Sequence, residues 1–183
     1  FGQDTTPIRI SGDFLLTGNT FANAASIAQD GIKTVEKNVI VGGNQNLDSL
    51  SFDFLEQIGA GTEGGSLLFG VSADASLDNH NSGRGDLSLP LLREIGMDSQ
   101  GGGGDVNIRT DDLSVGALEL GGIGFKVFGN IDIQGGMSSL KLDTLTQVGR
   151  ENNSGDKALD GALNIPWNVL SAAGLGSLVT VYG

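Results

Sequence analysis

Leu50-Ser51-Phe52-Asp53-Phe54-Leu55-Glu56-Gln57-Ile58-Gly59 decides how this chain is read, because the stretch returns. It returns as Leu87-Ser88-Leu89-Pro90-Leu91-Leu92-Arg93-Glu94-Ile95-Gly96, and again as Leu140-Lys141-Leu142-Asp143-Thr144-Leu145-Thr146-Gln147-Val148-Gly149. A looser copy runs Leu163-Asn164-Ile165-Pro166, then Leu170-Ser171-Ala172-Ala173-Gly174. Each copy opens with apolar and polar residues in alternation, which suits a strand. The second half spaces apolar residues three apart and closes on Gly, which predicts one or two helical turns ended by a left-handed cap. Asp53, Pro90, Asp143 and Pro166 stand at the switch, where a cap or a preset φ can start a helix. The pattern predicts that Leu55, Ile58, Leu92, Ile95, Leu145 and Val148 are buried. It also predicts positive φ at Gly59, Gly96, Gly149 and Gly174.

The copies start 37, 53 and 23 residues apart. A simple solenoid keeps a nearly fixed period. The irregular spacing therefore predicts a mainly β domain, an antiparallel β-sandwich or barrel with short helical turns at its ends. An irregular β-solenoid is the alternative. Residues 1–18 read as an extended N-terminal arm and 19–183 as a single β-rich domain. The Ala-rich run at 20–29 predicts a short helix. The alternating segments Val106–Arg109, Leu113–Val115, Leu118–Leu120, Ile123–Val127 and Ile131–Ile133 read as a β-meander.

The chain has 183 residues, 31 of them Gly, and no Cys. The missing Cys excludes disulfides, thiolate metal sites and Cys nucleophiles. Ten basic residues against 22 acidic ones give a net charge of −12, and the basic residues are scattered. No basic stripe is present for nucleic acid, and no apolar run approaches the ~20 residues that span a membrane. The start at Phe1, without Met, and the richness in Gly, Asn, Ser and Thr suggest an exported protein at the cell surface.

Candidate chemistry is sparse. His80, the one histidine, sits in loop composition. Asp78, Asn81 and Asp86 around Gly83 could hold a Ca²⁺ ion, although the twelfth position of an EF-hand loop would be Leu89 and supplies no carboxylate. No other cofactor is expected. Arg84-Gly85-Asp86 reads as a turn. Gln100 to Asp105 is Gly-rich but lacks the Lys-Ser/Thr of a phosphate-binding loop. Nothing in the residues converges on catalysis.

Two resemblances remain. The closing segment, with Val179, Val181 and Tyr182, resembles the last strand of pilins that assemble by donor-strand exchange. The arm, with Ile8, Ile10, Phe14 and Leu16, resembles their donated strand. That likeness implies a structural subunit of an extracellular filament or surface layer, a homopolymer joined by β-strand complementation through those seven residues. A secreted adhesin or carbohydrate-binding module is the alternative function. Separately, Gly101 to Val115 looks like one rung of the secreted haemagglutinin-type β-helices.

Overall fold

The computed structural model describes residues 6–71, 81–82, 85–97, 104–110, 117–135, 137–150, 161–165, 173–174 and 180–181. The chain winds as a parallel β-solenoid, each turn laying one strand into each of three sheets. The first coil is β1 (Ile8–Ile10), β2 (Phe14–Thr17) and β3 (Thr20–Ala28). The second is β4 (Ile32–Val35), β5 (Val39–Gly42) and β6 (Gln45–Ser51). The third is β7 (Gln57–Ile58), β8 (Leu67–Phe69) and β9 (Asp86–Leu89), and the fourth β10 (Glu94–Ile95), β11 (Val106–Arg109) and β12 (Ala117–Leu120). The fifth is β13 (Phe125–Val127), β14 (Ile131–Gln134) and β15 (Ser139–Lys141). The sixth is β16 (Leu145–Val148), β17 (Leu163–Asn164) and β18 (Ala173–Gly174), after which β19 (Thr180–Val181) rejoins the first sheet.

The coils stack because like residues fall on like residues. Ile10, Val35, Ile58, Ile95, Val127, Val148 and Val181 pair in one unbroken register along the first sheet. Every one of them is β-branched, the shape that packs best on a pleated surface. Phe14, Val39, Leu67, Val106, Ile131 and Leu163 form the corresponding column of the second sheet. Ile27, Leu50, Leu87, Leu118 and Leu140 do so in the third. The three columns meet in one continuous core, which the Phe14 and Phe52 rings join edge-on at 5.0 Å.

This architecture overturns the antiparallel sandwich or barrel: the pairings of all three sheets are parallel. The meander reading fails for the same reason. Successive strands of 106–133 enter different sheets and pair with the coils before and after, not with each other. Among the described residues there is no helix. The stretch expected to be helical at 20–29 is β3, whose Ala25, Ser26, Ile27 and Ala28 pair with Leu47, Ser49, Leu50 and Ser51. Pairing with an already ordered coil outweighs the weak helix preference of Ala. In the repeated decapeptides the second half is a tight corner into a strand of the first sheet, with no helical turn.

The expected burial holds: Leu55, Ile58, Leu92, Ile95, Leu145 and Val148 are all fully enclosed. Gly59, Gly96 and Gly149 have φ of 74°, 84° and 83°. The fourth copy was misplaced. Leu163 belongs to the second sheet, while the residues in register with Leu140 are Leu118 on one side and Ala173 on the other. The spacing is irregular because the step from Leu87 to Leu140 spans two coils, through Leu118, and because connections differ in length, both between the second and third sheets, as from Val39 to Leu50 against Leu67 to Leu87, and where the chain passes from the first sheet to the second. That last passage is closed by glycine pairs. A Cβ on Gly59 would lie 2.4 Å from the Gly65 nitrogen, one on Gly96 2.5 Å from that of Gly104, and one on Gly161 2.5 Å from that of Gly149. Backbone meets backbone there, so no side chain fits.

Candidate functional site

Polar side chains bind successive coils at two corners, through all six coils at one and through the first three at the other, and they run in opposite senses. At the corner entering the second sheet, each side-chain oxygen accepts the backbone N–H of the following coil. Asp13 Oδ1 accepts from Asn38 N–H at 2.8 Å, Asn38 Oδ1 from Ser66 N–H at 2.9 Å, and Ser66 Oγ from Asp105 N–H at 3.0 Å. Asp105 Oδ1 then accepts from Asn130 N–H at 2.7 Å, and Asn130 Oδ1 from Ala162 N–H at 2.9 Å. At the corner leaving the second sheet, the oxygen belongs to the later coil. Asn81 Oδ1 accepts from Asn44 N–H at 3.1 Å and from its Nδ2 at 2.8 Å, and Asn44 Oδ1 accepts from Asn19 N–H and Nδ2 at 3.1 and 2.8 Å. Asn44 is wholly buried, and its Nδ2 also donates to Leu16 O at 2.7 Å. A buried amide satisfied on both sides fixes the order of coils as well as their spacing.

These ladders claim one of the expected cation ligands. Asn81 Oδ1 serves Asn44, while Asp86 Oδ1 accepts from Ala117 N–H at 2.7 Å on the third sheet. Asp78 and His80 lie outside the described residues, and among those described no group of three His, Cys, Asp or Glu could hold a metal. The outer faces carry exposed ion pairs such as Arg9–Glu36, Lys33–Glu56 and Lys141–Glu119. Lys141 titrates above its ordinary range, held there by the hydrogen bond and charge of Glu119. More enclosed is Arg109, whose Nη2 donates to Asp132 Oδ2 at 2.6 Å, with Asn164 donating to the same carboxylate at 2.8 Å.

The feature most open to a partner is the edge of the first coil. Among the described residues, β1, β2 and β3 each stand at one end of a sheet, paired on one side, with β19, β17 and β18 at the other ends. A row of unpaired N–H and C=O groups templates the addition of further strands. Behind that edge the core itself is half open: Ile10, Phe14, Leu16, Phe21 and Ile27 pack on the core but are only partly buried. Leu15, on the outer face beside the buried Ile40, is 61% exposed. Ile8, Ile10, Phe14 and Leu16, the residues of the expected interface arm, thus stand on this edge, and their strands pair with β4 and β5 of the same chain. Val181 lies in β19; Val179 and Tyr182 fall outside the described residues.

The ladders escaped the sequence reading. Their signal was the dipeptide Gly-Asp or Gly-Asn ahead of a strand, at Gly12-Asp13, Gly18-Asn19, Gly43-Asn44, Gly104-Asp105 and Gly129-Asn130, which had the look of ordinary turns. No family model matches this chain, and neither a curated protein nor a solved structure does.

Proposed function

We propose that this chain is a structural element of an extracellular filament or surface layer, secreted or held at the cell surface, that works by association and not by catalysis. One observation carries the reading: among the described residues, the first coil combines three strand edges with a half-open apolar core. Natural monomers blunt such edges with charge, Pro or a covering element. Here only Arg9 and Asp13 bring charge to β1, β2 and the turn between them. Strand complementation in this reading is the addition of a coil to a coil. The arm is not a free donor, since its strands are already taken up by the second coil.

Continuous columns and ladders make the solenoid stiff along its axis, as a fibre element needs to be. Negative-stain microscopy of the purified protein tests the reading. Fibres or end-joined rods are expected. Separate short particles at every concentration would favour the second reading, a secreted adhesin or carbohydrate-binding module. The observation that favours that second reading is the polar patch of Arg109, Asp132 and Asn164 on the outer face of the second sheet.

A further inference from the structure

We infer that the corner between the third and first sheets carries a docking ridge, Phe54, Leu91 and Ile123, which pairs side by side with the same ridge of a second copy of this chain about a two-fold axis parallel to the solenoid. Such pairing rests on the association reading above, but it uses the flank of the solenoid and not its strand edges.

The ridge follows from how the corners stack. Leu50 and Leu87 are in register, as are Gln57 and Glu94, so Phe54 and Leu91 occupy the same place in successive coils. The next corner holds one residue more. Its Gly122 donates N–H to Leu92 O at 2.6 Å and lies so close over Leu91 that a Cβ would meet that backbone at 3.1 Å; Ile123 follows it. Phe54, Leu91 and Ile123 are 54%, 44% and 93% exposed, while Phe52, Leu55, Leu89, Leu92, Leu120 and Phe125 around them are buried. The corners on either side carry Asp30 and Thr144 instead. That bounds the ridge at three corners, about 10 Å along the axis at the usual strand spacing. One exposed apolar side chain is ordinary, but three in line mark a contact surface.

Charge selects what the ridge meets. The net −12 of each copy opposes association wherever two acidic surfaces approach. Beside the ridge, however, charges are sorted by side. Asp53 and Asp143 precede their corner residues, toward the third sheet; Arg93 and Lys126 follow theirs, toward the first. Asp53, Arg93 and Lys126 take part in no ion pair among the described residues, whereas Glu56 pairs with Lys33 and Glu119 with Lys141. A two-fold axis along the ridge sets each ridge residue against its own copy and lays each first-sheet side over the other copy's third-sheet side. Arg93 then comes within one coil spacing of the partner's Asp53, and Lys126 within one of the partner's Asp143. A two-fold axis across the ridge would instead set Arg93 against the partner's Arg93. The sorting therefore selects parallel pairing. At physiological salt the Debye length is about 8 Å, so these close pairs persist while acids farther apart are largely screened. Three apolar side chains fall short of the ~800 Å² per partner of a standard interface, so one pair is weak and gains from repetition in a layer.

Arg93→Glu and Asp53→Arg, both at exposed positions, are made as separate single variants. Alone, each sets like charges together twice across the two-fold axis, and should lower the association constant about ten-fold or more in sedimentation equilibrium. Mixed one to one, the two variants present opposite charges on both sides of the axis, and most of the association should return. A defect inside one chain is not repaired by a second chain that carries a different one. Ile123→Asp, at a position open enough to leave the fold intact, should weaken pairing about ten-fold or more, because the new carboxylate must lose water on docking. Monomer throughout the concentration series, no recovery on mixing, or an Ile123→Asp variant that associates like the original chain would overturn the ridge even if fibres form. Recovery on mixing without fibres or end-joined rods would instead keep the ridge and remove the filament.

Discussion

Ile10 and Ile58 occupy the same column of the same sheet, yet Ile58 is fully buried and Ile10 is not. The first coil and the third are built by the same rules, from apolar residues facing inward and a polar rung at the two corners of the second sheet. They differ only in what lies beyond them. The third coil has a neighbour on both sides, so its strands, its core side chains and its ladder residue Ser66 are satisfied twice. The first coil is satisfied once. A solenoid's stability is close to a sum of coil and neighbour terms. The difference between the two regions therefore measures the neighbour term, which is also what a docking partner would supply.

Truncations give the strongest test of that contrast. Leu55→Ala or Ile58→Ala should cost about 2–5 kcal/mol of unfolding free energy, as for other enclosed side chains. Phe14→Ala in the first coil should cost less than that in dilute protein, where the ring is only partly covered, and the gap should narrow as protein concentration rises. Denaturant titration at two concentrations separates the cases. An equal loss at both sites in dilute protein would mean the first coil is already covered.

Gly96→Ala comes next. It places a Cβ 2.5 Å from the Gly104 backbone at a residue with φ of 84°. The left-handed conformation alone costs an L residue about 1–2 kcal/mol, and the clash adds to it, so a clear fall in thermal midpoint is expected. Gly12, in the first coil, has nothing within 4 Å of its Cβ position and no positive φ, and Gly12→Ala should be nearly silent.

The ladder offers a smaller contrast. Asn44→Ala leaves buried backbone and amide partners unmet, for about 1–3 kcal/mol. Asn19→Ala, at the exposed end of the same ladder, should cost clearly less. Smallest of all is Lys141→Ala. Its pair with Glu119 is exposed, and such pairs contribute little. Because the Lys141 pKa is raised in the folded protein, whatever the pair contributes is present at neutral pH and disappears as pH rises through the raised value. A pH titration of stability should show at most a slight decline on the alkaline side.

Much of the local fold was legible. Φ-x-Φ followed by L-x-x-Φ-Gly located the buried residues and the left-handed glycines, because both follow from spacing alone. The direction of the strands was not. Short alternating runs look the same in parallel and antiparallel sheets, and the period that would have exposed the solenoid was broken by extra residues at the Gly59–Gly65, Gly96–Gly104 and Gly149–Gly161 pinch points and between Leu67 and Leu87. The copy at Leu118 was invisible because Gly121-Gly122-Ile123-Gly124 replaces the Asp or Pro corner of the other three. Of the candidate site, the sequence singled out Ile8, Ile10, Phe14 and Leu16 as a donated arm, and their strands pair instead with β4 and β5 of the same chain. Asp13 and Asn19, the first described rungs of the two ladders, are defined as such only by the coils that follow them.

The contrast between coils is read most directly by amide hydrogen exchange, followed residue by residue at low and high protein concentration. The account expects amides of β1, β2 and β3 to exchange much faster than those of β7, β8 and β9 in dilute protein, and to slow on concentration while the third coil stays unchanged. First-coil amides as protected as those of the third coil at every concentration would contradict it.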